Sequence, residues 1–346
     1  MVKYNKGEWA ETYVFLKCLS DGKFYVKDST LSKLINEYEI LKLYKENFLK
    51  TGEKEFVPLK INKERYIEIS EKLLDRIVKS RETTFSIEEL EVFSKNEDFS
   101  LSKGTSYSKN DLEGVIKDWC KRCSPRLGYS IKSKFSSSAT LLNASKHTDF
   151  LYKVTGISEQ QAKEINQISS STKLKDRMKK IEEYGGKITF CRVVSNSFKN
   201  NLDYIDCGLE KILGEILLKF YMKKATAIEE LIKILAEENP LKYVGSNKSD
   251  FYKNKMIKFF KEVAFKMMPS KELEEIKSEK QGGILLVDTT GKVSLLDNIY
   301  YVEELNEYLY KNLKLETPSA TRYKMLELEK DSIGFRFTLN LQIRFK

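Results

Sequence analysis

The chain has 346 residues, 41% of them hydrophobic and 32% charged, with a formal net charge of +10. That is enough apolar material for one large folded domain or two small ones, and it places the chain among globular proteins. No apolar run reaches the roughly 18 residues of a membrane-spanning helix, the opening MVKYNKGEWAE is too charged for a secretory signal and carries acids that transit peptides lack, and five cysteines read as reduced thiols, not a disulfide framework. A cytoplasmic protein without a membrane role is expected. Its basic balance favours a polyanionic partner, nucleic acid first and an anionic membrane surface second.

Residues 6–20 read as a helix opened by Gly7, with Trp9, Tyr13, Leu16 and Leu19 at helical spacing and Asp21-Gly22 ending it. KFYVKD begins a strand. Two short extended runs follow, EILKLYKEN and KEFVPLKIN, separated by a glycine turn. YIEISEKLLDRIVKS reads as an amphipathic helix, and SIEELEVFSKN as a second, with Ser86 as N-cap and Glu89 three residues on. LSKGTSYSKN is a polar loop that leads into Asp111.

From Asp111 the pattern is that of a β-hairpin. LEGVIKDW is extended, CKRCSPRLG turns the chain at Pro125 and Gly128, and GYSIKS returns with Tyr129 and Ile131 on one face and Ser130 and Lys132 on the other. Such a turn brings Asp111 beside Ser130 and Lys132. An aspartate and a lysine on adjacent strands suit metal-assisted attack on a phosphodiester: the carboxylate holds a divalent ion, and the lysine orients or deprotonates water and balances charge developing on phosphorus. Asp118 is the rival acid, more simply read as a loop-end aspartate. Cys120-x-x-Cys123 lacks partners for a four-ligand zinc site, because the chain has one histidine, His147, and no second CxxC.

After the hairpin, FSSSATLLNASKHTD reads as an irregular loop rich in hydroxyl and amide groups suited to phosphate contacts. Residues 157–278 are mainly helical by pattern, interrupted by the strand KITFCRV. GGILLVDTTGKVSLLDNIYY is a hairpin around Thr290-Gly291, and VEELNEYLYKNL is a short helix. GFRFTLNLQIRF alternates as one strand, with Phe335, Phe337, Leu339, Leu341, Ile343 and Phe345 on one face and Arg336, Thr338, Asn340, Gln342 and Arg344 on the other. Three segments follow along the chain: 1–156, an N-terminal part with the Asp111 hairpin; 157–280, a mainly helical subdomain; and 281–346, a C-terminal β-rich segment.

The hairpin resembles the core of the PD-(D/E)xK nucleases, with Asn110-Asp111 as the first half of their motif and Ser130-Ile131-Lys132 as the second. Ser130 stands where that family has an acid. Three longer segments resemble the HpaII-type restriction endonucleases: KGEWAETYVFLKCLSDGKFY, LGYSIKSKFSSSATLLNASKHTDFLY, and ETPSATRY followed by FTLNLQIRF. They run in that family's order from Lys6 to Phe345. The resemblance implies an α/β (α+β) fold with a restriction-endonuclease-like central mixed sheet flanked by helices. It also implies a type II restriction endonuclease that uses Mg2+ to cut double-stranded DNA at CCGG, alongside a cognate DNA methyltransferase and with a homodimer as a possible assembly.

Asp111 and Lys132 are the expected catalytic pair. Because Ser130 leaves the ion short of negative charge, a further acid is needed. Glu11, on the first helix, is the candidate second metal ligand, with Glu8 and Glu113 as alternatives. Arginine grips guanine bidentately, so Arg344, Arg322 and the neighbouring Gln342 form the expected base-reading set, with Lys134 and Asn143 as further DNA contacts. Two other readings stand beside this one: a structure-specific or repair nuclease of the same fold, or a basic DNA-binding protein that has lost catalysis at Ser130.

Overall fold

The computed structural model describes residues 2–101, 110–117, 125–135, 139–273 and 280–346. In chain order come β1 (Tyr4–Asn5), α1 (Lys6–Asp21), β2 (Lys23–Lys27), β3 (Leu34–Glu46), β4 (Glu53–Phe56), α2 (Lys63–Lys79), β5 (Thr84–Phe85), α3 (Glu88–Asn96), β6 (Leu112–Ile116) and β7 (Arg126–Ser133). Then follow β8 (Thr140–Leu142), β9 (Asp149–Thr155), α4 (Glu159–Gln167), α5 (Lys173–Glu183), β10 (Lys187–Val193), α6 (Asn196–Ile205), α7 (Leu209–Tyr221), α8 (Ile228–Glu238) and α9 (Lys248–Phe265). The chain closes with β11 (Gln281–Val287), β12 (Val293–Asp297), α10 (Val302–Asn312), β13 (Leu313–Leu315), β14 (Glu329–Lys330), β15 (Phe335–Asn340) and β16 (Ile343–Phe345). The fold is mixed α/β, with ten α-helices among the described residues. Two compact units form, each from two separated stretches: 1–139 with 276–308, and 140–275 with 309–346. The three segments read along the sequence are each continuous, whereas each unit joins an early stretch to a late one.

The first unit is built on a seven-stranded sheet in the order β2-β12-β11-β7-β6-β3-β4. β6 and β7 are antiparallel, with Leu112 opposite Tyr129, and β11 runs parallel to β7, with Leu285 beside Ile131. Strand directions are therefore mixed, as expected. The central sheet anticipated from the resemblance is corrected in one respect: β2 also pairs with β3, so the sheet closes into a barrel. The length of β3 makes this possible. Its first half, from Leu34 to Glu39, pairs with β2, and its second half, from Ile40 to Tyr44, pairs with β6 after an irregularity between Ile40 and Lys42. A bulge of that kind bends a strand and increases its twist.

Helix α1 packs on this sheet. Asn5 caps it, accepting from the amides of Gly7 and Glu8 while the Glu8 carboxylate accepts from the Asn5 amide, and Gly22 ends it at φ 68°. The cap residue is thus Asn5, outside the expected Gly7 opening. Trp9, Ala10, Val14, Phe15, Leu16 and Leu19 are buried in the core with Phe24, Tyr129 and Ile131. The expected Ser86 cap does not form. α3 starts at Glu88 with Ile87 at the cap position and no side-chain bond there, and Ile87 packs against the core, so apolar contact sets the helix entry.

In the second unit, β9 lies between β10 and β15 in a four-stranded antiparallel sheet that β14 extends, while β8, β16 and β13 form a three-stranded sheet. The stretch read as irregular after the hairpin therefore contains β8 and leads into β9, whose residues Phe150, Tyr152 and Val154 are fully buried. The final alternating run is likewise two strands, not one. β15 belongs to the first of these sheets and β16 to the second, with Leu341 and Gln342 between them. Every residue from Leu339 to Ile343 is buried, so the expected polar face is interrupted at Asn340 and Gln342. Among the described residues no helix is long and apolar enough to cross a membrane.

Candidate functional site

Asp111 sits one residue before β6. Its amide donates to the Tyr129 carbonyl at 3.0 Å. Its Oδ2 accepts from the Ile131 amide at 2.7 Å and from the Ser130 hydroxyl at 3.4 Å. The carboxylate thus takes the place of a ladder acceptor at the head of the hairpin, which orients it tightly. Tyr129 and Ile131 point into the core, so strand alternation sends Ser130 and Lys132 to the other face. Lys132 lies about 7 Å along β7 from Ser130, is partly buried, and is in register with Leu286 of β11. The structure therefore brings the Asp111 carboxylate onto Ser130 and Ile131 of the strand that carries Lys132. Gly128 makes room for this: a Cβ there would lie 2.0 Å from Asn110 Nδ2, because the buried Asn110 side chain lies against that part of β7.

The three acids weighed as substitutes for the missing carboxylate differ in their surroundings. Glu8 is engaged in the helix cap, accepting from the Asn5 amide at 2.7 Å. Glu113 pairs with Arg126, whose guanidinium also forks onto Glu53 at 2.8 and 2.9 Å and lies over the Tyr44 ring. Glu11 is partly buried, between the fully buried Ala10 and Thr12, on the helix that packs against β7. Among the described residues no three His, Cys, Asp or Glu side chains converge as a metal site. Mg2+ does not need such a set, since it commonly binds one or two carboxylates and keeps waters and substrate phosphates as its other ligands. The hard oxygen donors at the hairpin head fit that habit. Asp118, Cys120 and Cys123 lie outside the described residues.

The predicted DNA contacts fall in two kinds of place. In the first unit, Lys134 is exposed just beyond β7, its amide donating to the Val287 carbonyl at 2.9 Å. In the second unit, Arg322 and Asn143 are exposed on loops tied to each other: Tyr323, next to Arg322, donates from its hydroxyl to the carbonyl of Ala144, next to Asn143, at 2.9 Å. The Arg322 guanidinium lies 5.5 Å from the Tyr323 ring centre. Gln342 is buried, and Arg344 is ion-paired with Glu316. His147, in the Asn143 loop, places Nδ1 3.3 Å from Ser195 Oγ.

Two residues of this region were not singled out in the sequence. Asn340 is fully buried and donates from Nδ2 to the Ser145 carbonyl at 2.6 Å and to Asp149 Oδ1 at 2.7 Å, while Thr148 donates to its Oδ1 at 3.2 Å. Burial raises the pKa of Asp149, and the Asn340 amide opposes that rise. Arg177 is also buried, with its guanidinium aimed at backbone carbonyls. Asn340 was hidden in the alternation of the last strand, and Arg177 in the charge-rich KLKDRMKK.

Comparison with known proteins bears on the whole chain. The HpaII restriction endonuclease family model matches residues 5–345. The type II restriction enzyme HpaII of Haemophilus parainfluenzae is 34% identical over 358 residues, covering 99% of this chain and 98% of that protein. No solved structure matches. With its matched text running through both the Asp111 hairpin and the Arg322 loop, the chain belongs to the HpaII restriction endonuclease family and is a type II site-specific deoxyribonuclease.

Proposed function

We propose that this endonuclease hydrolyses double-stranded DNA at CCGG with Mg2+, using Asp111, Ser130 and Lys132 at the hairpin and Glu11 as the second acid. The observation that carries this reading is the Asp111 carboxylate seated on Ser130 and Ile131 in the second half of β7. Asp111 and Glu11 would hold the ion, which when bound supplies charge neutralisation and an activated water. Asp111 is held in place by the Ile131 amide, and Ser130 supplies a neutral oxygen where other members of the superfamily carry an acid. Lys132 lends its positive charge to the phosphate oxygens as charge develops there.

Base reading is assigned first to Arg322, exposed on its loop, because a G·C site presents guanine O6 and N7 in the major groove, the natural partners of arginine. Asn143 and Lys134 serve as further DNA contacts. Arg344 and Gln342 read bases only if DNA binding releases Arg344 from Glu316 and uncovers Gln342. A palindromic site is matched by two-fold protein symmetry, which supports a homodimer on DNA. A methyltransferase that modifies CCGG completes the restriction-modification pair.

Digesting plasmid DNA of known sequence with Mg2+ and mapping the ends tests this. Discrete fragments ending within CCGG are expected. Ends elsewhere overturn the specificity and leave the nuclease standing. A smear or nicking favours a structure-specific enzyme of the same fold. Retardation without cleavage marks a DNA-binding protein without catalysis.

A further inference from the structure

We infer that Arg177 is a positioning residue for base reading: it clamps the strained backbone at 324–326 and so fixes the loop that presents Arg322. The inference rests on the assignment of base reading to that loop.

The loop 317–324 is exposed over most of its length, yet it ends in an unusual backbone. Lys324 (φ 45°) and Leu326 (φ 55°) both occupy the left-handed region, which non-glycine residues avoid. Such conformations persist when surrounding contacts over-determine them, and they gather where function needs a fixed geometry. The contacts here are dense. Met325, between the two, is fully buried, and its amide donates to the Ala320 carbonyl at 3.0 Å. The Leu326 amide donates to the Thr338 carbonyl at 3.0 Å. The Leu326 carbonyl accepts from Arg177 Nη1 at 2.9 Å.

Arg177 is an odd residue to bury. It is 5% exposed, and its guanidinium donates to backbone carbonyls: Leu326, Asn166 at 2.7 Å, and Ile168 at 3.0 and 3.2 Å. Glu327 adds only a nearby charge, and burial lowers the arginine's pKa. Burying a guanidinium is costly unless its donors are hydrogen-bonded, and its planar fork lets one side chain reach several carbonyls at once. The fork joins the end of α4 to the reading loop. Asn166 repeats the link one step on, donating to the Leu328 carbonyl at 2.9 Å and accepting from the Leu328 amide at 2.8 Å. A lysine fits the space and keeps the charge, but it cannot bond carbonyls on two segments in one plane.

The test compares the wild type, Arg177→Lys, Arg177→Met and Arg322→Ala. Hydrogen exchange on DNA-free protein reads the clamp without reference to DNA. In the wild type, amides 325–326 are expected to be protected although the loop before them is exposed. In Arg177→Lys, exchange in peptides covering 320–328 should rise about tenfold with the rest unchanged. An unprotected wild-type segment, or no rise in the variant, overturns the clamp whatever the loop reads. Cleavage reads the consequence. Arg177→Lys should lower kcat/KM on CCGG about tenfold, mainly through KM, while rates on one-base variants of the site hold, so that discrimination falls. A purely structural arginine would lower both rates in proportion to the folded fraction, and that result overturns the inference even if Arg177→Met fails to fold. If Arg322→Ala keeps full discrimination, the failure lies with the assignment of that loop to base reading. If Arg322→Ala loses discrimination and the loosened Arg177→Lys keeps it, the positioning role is overturned and the loop's role stands.

Discussion

Lys132 leaves the sheet on the same side as Ser130, whose hydroxyl touches the Asp111 carboxylate, and that is where the chemistry is assigned. A lysine that stabilises developing charge acts on the transition state more than on the bound complex. Lys132→Ala should therefore lower the cleavage rate by orders of magnitude while DNA affinity is largely kept, measured by single-turnover cleavage beside binding in Ca2+. Cleavage at the wild-type rate would remove the hairpin from the mechanism. Asp149 offers a separate test on stability. Burial raises its folded pKa, so the folded protein holds that proton more tightly than the unfolded chain. Its contribution is fully present below the ordinary carboxylate pKa of about 4 and is lost as pH rises through the raised folded value. Asp149→Asn keeps an oxygen for the Asn340 amide and removes the titration. The variant's Tm should lack that fall between acid and neutral pH, and an unchanged pH profile would show that the buried carboxyl does not titrate differently on folding.

Helix α1 ties several of these groups to one element. Its Asn5–Glu8 capping box fixes where the helix starts, and so where Glu11 lies along it. Asn5→Ala removes an acceptor for the first-turn amides and should cost about 1 kcal/mol of stability, read from urea unfolding at constant m-value. No loss would mean that the buried stripe from Trp9 to Leu19 alone sets the helix entry. The hairpin is similarly fixed by its neighbours. Because β11 runs parallel to β7, a strand more than 140 residues later in the sequence supports the one that carries Lys132.

At the scale of the molecule, the formal charge of +10 is the measurable quantity. Neutralised phosphates release counterions, so the logarithm of DNA affinity should fall linearly with the logarithm of salt concentration. Lys134→Ala should weaken cognate and random duplexes alike and reduce that slope by about 1. If the slope is unchanged, Lys134 does not contact phosphate. Arg322→Ala should instead cost about 1–3 kcal/mol of discrimination at the affected base, with its effect concentrated on CCGG. The two variants together separate charge from reading across the chain.

Much of this was legible in the residues because it is local. Alternation around Tyr129 and Ile131, with Gly128 before them, marks the β7 strand, and Asp111 falls at the place from which it reaches Ser130. The helical periodicity of α1, α2 and α7–α9 follows from burying one face or stripe, and family text carried the function from Lys6 to Phe345. Other features depend on partners distant in sequence. Closure of the barrel through β2 and β3 needs a strand long enough to serve two neighbours, which a local pattern cannot distinguish from two short runs. The last strand divides after Asn340 because two different sheets take its halves, and the Asn340 side chain turns inward to Ser145 and Asp149. Nothing local in KLKDRMKK sets Arg177 apart from its charged neighbours, and the fold brings backbone carbonyls of Asn166, Ile168 and Leu326 to its single guanidinium. Periodicity reports which side of an element is buried, but only the folded chain decides which polar groups meet there, because those pairings are long-range and each buried donor must find an acceptor wherever the topology supplies one.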